Sequence, residues 1–162
     1  MPSDPLFLLT LLTLLALLLC GLMAGVFFAF SSFVMRGLSR LPPTQGIAAM
    51  QSINLAALRP PFLAAFVGCA GACLVLAAVS LWSWHVPGAP YRFAGSVLYL
   101  VGTFGVTAAF NVPRNEALAA VRADSADSAD QWGRYLASWT AWNHMRTVAA
   151  LAAAALLAVT LR

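Results

Sequence analysis

Four residues near the start of the last apolar stretch stand out chemically: Trp139, Asn143, His144 and Arg146. They place an aromatic face, an amide, an imidazole and a guanidinium within about two helical turns. An imidazole titrates near neutral pH and suits a general base. A guanidinium and an amide can hold an oxyanion that forms during reaction. Ionisable groups are costly in a membrane and normally face the interior of a helix bundle, although Arg146 could also snorkel to the interface. His144 could instead bind a metal or a haem. A lone His is a poor metal site, however. His85 belongs to the opposite end, and no carboxylate lies inside the apolar stretches. A mononuclear site of several His and Asp ligands is therefore disfavoured.

The other polar residues fall in three groups. Ser31, Ser32 and Arg36 end the first apolar stretch. Gln51 and Asn54 lie close together on a short helix. Asn111 and Asn115 flank Pro113. Each has a plain structural alternative. Ser31 and Ser32 can bond backbone carbonyls in their own helix. Asn111 and Asn115 can repair the gap that Pro113 makes in the hydrogen-bond ladder. Trp132, Tyr135, Trp139 and Trp142 recur at helical spacing, as an interfacial aromatic belt or as a pocket wall. Asp124, Asp127 and Asp130 sit in a small, polar run that reads as a solvated linker.

The elements that carry these residues follow from composition. Of 162 residues, 62% are hydrophobic and only 9% are charged. A soluble domain has roughly 25% charged residues. An ordinary soluble domain, a disordered chain and a nucleic-acid binder are excluded, because the net charge of +4 comes from scattered Arg with no Lys. A helix needs about 20 apolar residues to cross the hydrocarbon. Four stretches qualify, at 6–35, 61–84, 93–112 and 142–161. The expected fold is all-α: one integral membrane domain over 1–162, a four-transmembrane-helix bundle with a short extra helix at about 44–58 in the first long connection. Thr44 can cap that helix, and Asp130 or Ser128 a helix that starts near Gln131. Small residues at Gly21, Gly25 and Ala29, and at Ala64, Gly68 and Ala72, offer faces for close helix packing. Cys20, Cys69 and Cys73 lie in apolar runs without CxxC spacing. They read as buried small residues, with a metal or redox role as the alternative.

Arg36, Arg40, Arg59, Arg114, Arg122 and Arg134 lie in the first and third connections, against Arg92 and Arg162 on the other side. This asymmetry places the long connections in the cytoplasm, for a protein of the bacterial inner membrane. With alternating spans, all the polar groups named above gather at one membrane face, and the short helix can lie over them as a lid.

Four segments resemble the motifs of the anthrone-oxygenase-like family of small membrane proteins. They are residues 24–38 (Ala24 through Phe27, Phe30, Ser31 and Ser32 to Leu38), 46–54 (Gly46 through Met50 and Gln51 to Asn54), 111–119 (Asn111, Val112, Pro113, Arg114, Asn115, Glu116 onward) and 139–147 (Trp139, Thr140, Ala141, Trp142, Asn143, His144, Met145, Arg146, Thr147). Arg114 stands where the family more often has Leu, a departure at one part of the rim. The resemblance implies a membrane oxidoreductase that uses O₂ on a small aromatic or quinone-like substrate. In anthrone oxidation a base removes a benzylic proton, the carbanion or enolate meets O₂, and loss of water gives the quinone. His144 fits the base, with Asn143 and Arg146 beside it as catalytic groups. Gln51, Asn54, Asn111, Asn115 and Ser32 fit polar contacts to the substrate, and Trp139, Trp142 and Phe30 fit the walls. The cofactor stays open between none, a haem and a metal ion, with His144 the ligand in the last case. Partners are the lipid bilayer and the substrate. A homo-oligomer is compatible, and nucleic acid is not a partner. The competing class is a non-catalytic accessory protein that packs on other membrane proteins. Small-solute transport is weaker, because no internal repeat is present.

Overall fold

The computed structural model describes residues 5–162, and residues 1–4 lie outside the description. The described chain is all-helical. We label its helices α1 (Pro5–Leu38), α2 (Pro43–Ala57), α3 (Phe62–Trp82), α4 (Ala89–Ala119) and α5 (Ser128–Val159). Helices α1, α3 and α4 are long and apolar enough to cross a membrane. Their outward faces carry exposed Leu14, Leu18 and Leu22 on α1 and Leu74 and Leu81 on α3. A soluble surface would not present rows of this kind. Helix α1 packs along α5 and against α3, and α4 packs on both α3 and α5.

The proline positions explain most boundaries. Pro43 occupies the first turn of α2, where its missing N–H costs nothing. Thr44 therefore lies inside the helix, and no side chain caps it. Helix α3 begins at Phe62, just after Pro61. Gly88 adopts φ of 84° at the turn before α4, a conformation that favours glycine. Pro113, expected to end the third apolar helix, instead lies within α4. Directly before it the helix widens to π turns: the Val112 N–H bonds the Thr107 carbonyl, one residue wider than an α turn. Further π turns occupy Leu98–Gly105 and Phe30–Val34. Such insertions often mark functional segments. Helix α5 starts at Ser128 rather than Gln131, again without a side-chain cap. Its 32 residues span about 48 Å at 1.5 Å per residue.

The close helix approach is not where small-residue spacing placed it. Gly21, Gly25 and Gly68 have open space around them. The intimate contact is between α4 and α5: a Cβ at Gly102 would lie 2.6 Å from the Ala149 Cβ, and one at Gly95 3.0 Å from the Ala153 carbonyl oxygen. Small residues on one helix work only if the facing helix is also small, and α5 supplies Ala149, Ala150 and Ala153.

Two cores result. One is deep and lined by Ala16, Cys20, Met23, Phe27, Phe66, Cys69, Cys73, Tyr99 and Leu157. The other joins α2 to the ends of α1, α4 and α5 through Met35, Ile47, Met50, Leu118, Trp132, Tyr135 and Trp139. Helix α2 is seated there tightly, with the Trp132 indole 2.8 Å from where a Cβ on Gly46 would be.

Candidate active site

Between the two cores lies a cavity of about 420 Å³, a volume in the range of small-molecule sites. Phe27, Phe30, Met50, Phe62, Phe66 and Trp139 form most of its wall. Asn54, Thr107, Asn115 and Arg146 supply its polar groups. Exposed Leu58, Leu63 and Val112 stand at its rim.

Arg146 is the centre of this arrangement. It is 4% exposed. Its Nη2 donates to Asn143 Oδ1 at 2.6 Å and its Nη1 to Thr107 Oγ1 at 3.2 Å. Its Nε–H has no partner. The guanidinium carbon lies 4.3 Å from the Phe27 ring centroid and 5.1 Å from that of Trp139, so two π faces cover the cation. Among the described residues no carboxylate pairs with it. Among the described residues the one ion pair is Arg122 with Asp124, at 3.2 Å and exposed on the loop before α5.

Asn143, fully buried, fixes the arginine. Its Nδ2 donates to the Phe27 carbonyl and to Ser31 Oγ, both at 2.7 Å. The Phe27 carbonyl stands just ahead of the π turn at Phe30–Val34. Thr107 Oγ1 in turn donates to the Thr103 carbonyl at 2.7 Å. Each partner of the guanidinium is thus tied to backbone. At the α2 end, Asn115 Oδ1 accepts from Tyr135 Oη at 2.9 Å and from Trp139 Nε1 at 2.8 Å. Burial pushes the Tyr135 phenol above its ordinary range, against the opposing pull of Asn54 and Arg146. The hydroxyl therefore keeps its proton and remains a donor to Asn115.

Of the residues singled out by sequence, Arg146, Asn54, Asn115, Trp139 and Phe30 meet at this cavity, and Asn143 stands directly behind it. The others do not line it. His144 is exposed on the outer side of α5, in a groove with Arg36, Ser39 and Thr140. A helix turns about 100° per residue, so the neighbour of inward-facing Asn143 is carried out of the interior. Trp142 stacks on Phe110 with centroids 3.6 Å apart, and Arg114 lies 5.9 Å from its ring centroid and donates to the Phe110 carbonyl. Arg114 is therefore away from the cavity rim. Gln51 donates to the Leu118 and Val121 carbonyls at 2.9 and 3.2 Å, tying α2 to the end of α4. Asn111 donates to the Trp139 carbonyl at 3.3 Å, a structural tie. Ser32 donates to the Phe28 carbonyl in its own helix. Its neighbour Ser31 is the one that joins the Asn143 network.

Thr107 is the main residue that sequence reasoning passed over. A signal was present: Thr103, Thr107, Asn111 and Asn115 recur every four residues. In a pure α-helix that spacing drifts about 40° per step. The π turns in this part of α4 unwind the helix and offset the drift, so the polar row stays against α5.

No curated protein and no solved structure matches the chain. A family model does, described as anthrone oxygenase, over residues 50–156. That stretch is well over half of the chain and carries Met50, Asn54, Thr107, Asn115, Trp139 and Arg146 of the cavity, and by this match the protein belongs to the anthrone oxygenase family.

Proposed function

We propose that this protein is an integral membrane oxygenase-type enzyme that oxidises a flat aromatic substrate able to ionise to an enolate or phenolate. The observation that carries this reading is Arg146: a buried guanidinium with no acid beside it, bordering an otherwise apolar cavity. A charge buried without a partner is expensive to maintain. A substrate that becomes anionic in the cavity would supply the missing partner.

The chemistry follows from the lining. It carries no imidazole, carboxylate or thiol. Acidification of the substrate therefore falls to Arg146. An adjacent opposite charge stabilises the ionised form of an acid, and the effect is larger in a low-dielectric site. An anthrone-like ketone loses its benzylic proton to water at the rim, and its oxygen becomes the enolate that Arg146 holds. The enolate carbon then combines with O₂. Loss of water leaves a second carbonyl, so one O₂ yields one new C=O and one H₂O. Phe27, Phe30 and Trp139 stack on the rings, and Asn143 with Thr107 keeps the guanidinium aimed.

Helix α5 completes the bilayer-spanning unit in this reading, as a fourth span from about residue 142. Exposed Met145, Val148 and Leu151 give its outer face the apolar character lipid requires. The chain is then one membrane domain with its long connections on the cytoplasmic side of a bacterial inner membrane. Substrate arrives laterally, past the apolar rim of Leu58, Leu63 and Val112.

The test is oxygen uptake by the protein in detergent or vesicles with anthrone as substrate. Expected is anthraquinone formation above the protein-free rate, with one O₂ consumed per quinone. 10,10-Dimethylanthrone, which cannot form the enolate, should not be consumed. An anthrone rate no higher than that of protein-free vesicles would refute the assignment.

A further inference from the structure

The deep core holds a second cluster that the cavity chemistry does not use. Cys20 comes from α1, and Cys69 and Cys73 lie one turn apart on α3. All three are fully buried and free. Their Sγ atoms lie within 4.8 Å of one another. Cys20 Sγ is 3.5 Å from Cys69 Sγ, a contact between separate thiols. Tyr99, also fully buried, borders the Cys69 thiol and donates its own hydroxyl to the Phe66 carbonyl at 3.1 Å. Two helices thus bring three soft ligand atoms to one point, sheathed by Ala16, Ala72, Leu76 and Met23.

We propose that Cys20, Cys69 and Cys73 bind one Cu(I) ion in a three-sulfur site. Ligand number and softness select this metal. Thiolates favour soft cations such as Cu(I), whereas structural Zn(II) takes four protein ligands. Among the described residues no fourth His, Cys, Asp or Glu joins this group. Each thiol that coordinates gives up its proton as the metal binds, RSH + Cu⁺ giving RS–Cu + H⁺, with no change of oxidation state. The site does not depend on the cavity. Phe66 separates the two, with its ring on the cavity wall and its carbonyl bonded to Tyr99.

The test is anaerobic titration of the purified protein with Cu(I) presented as its bicinchoninate complex. About one Cu(I) per chain should move to the protein, with release of the protons of the coordinating thiols. Cys20→Ala, Cys69→Ala and Cys73→Ala should each weaken binding by more than about tenfold, the scale for losing even an outer partner of a metal ligand. X-ray absorption of the loaded wild-type protein should show three sulfur neighbours and no nitrogen, a readout that needs no variant to fold. Copper left with the competitor, variants that bind as tightly as wild type, or a Cys20–Cys69 disulfide found in the freshly purified protein would each overturn the site. Quenching of Trp139 by anthrone should be the same with and without copper, so the fate of this proposal is separate from that of the cavity.

Discussion

His144 and Arg146 stand two residues apart on the same turn of α5, and the protein treats them in opposite ways. Arg146 is turned inward, covered by two aromatic rings and bonded to Asn143 and Thr107. His144 is turned outward into a shallow groove beside Arg36. By residue type alone the imidazole looks more catalytic, since it can exchange a proton near neutral pH. Position reverses that ranking. An exposed imidazole at the very edge of the span needs no compensation, while a buried guanidinium needs an anion. The comparison teaches that the chemically suggestive residue is the one whose surroundings leave a demand unmet.

Arg146→Met gives the sharpest test of this contrast. Replacing buried ionic groups by apolar side chains of similar volume is neutral or stabilising by up to about 4 kcal/mol, as measured for buried ion pairs. Leaving Asn143 Oδ1 without its donor costs about 1–3 kcal/mol. The two nearly cancel, so thermal unfolding should change little. Turnover of anthrone should nevertheless fall by about 10²–10³-fold, the scale for one lost oxyanion donor. A variant that melts far below wild type would mean that Arg146 is a structural tie. A variant with full turnover would remove it from the site.

Asn115→Ala probes the other end of the cavity and should act in the reverse proportion. It orphans the Tyr135 hydroxyl and the Trp139 indole N–H together. The expected cost is about 1–3 kcal/mol per donor left unpaired, read as a lowered unfolding midpoint. Turnover should fall only several-fold, through a less well-held Trp139 wall. A loss of activity as deep as that of Arg146→Met, at unchanged stability, would move the oxyanion contact to Asn115.

Much of this was legible in the sequence, and the failures have physical reasons. Apolar length and scarce charge gave the helices, and several of the Asn, Trp and Arg residues gathered at one end do border the cavity. Rotation about a helix axis was not legible. From Trp139, position 142 lies about 60° behind the stripe and position 143 about 40° ahead of it. Spacing alone cannot choose between Trp142 and Asn143, and the protein turns Asn143 inward. The same ambiguity hid that Ser31, not Ser32, bonds Asn143. The π turns hid the alignment of Thr107, because an α-helical period does not apply where the helix is unwound. Small residues at Gly21, Gly25 and Gly68 were misleading, since packing depends on what the facing helix presents. Here that is the alanine row of α5 against Gly95 and Gly102.

The smallest effect belongs to His144→Ala, and its smallness is informative. The side chain is exposed and lines no part of the cavity. A surface substitution of this kind changes stability by no more than about 0.5 kcal/mol. Turnover should stay within about twofold of wild type, because the group lost is not one that faces the substrate; a positioned general base contributes about 10²–10⁴-fold. The two outcomes are thus separated by at least an order of magnitude in one oxygen-uptake assay. A fall on the larger scale would show that α5 rotates in the working protein to bring the imidazole inward. That rotation would have to carry Asn143 away from the Phe27 carbonyl and release Arg146, which the bonds on its inner face oppose.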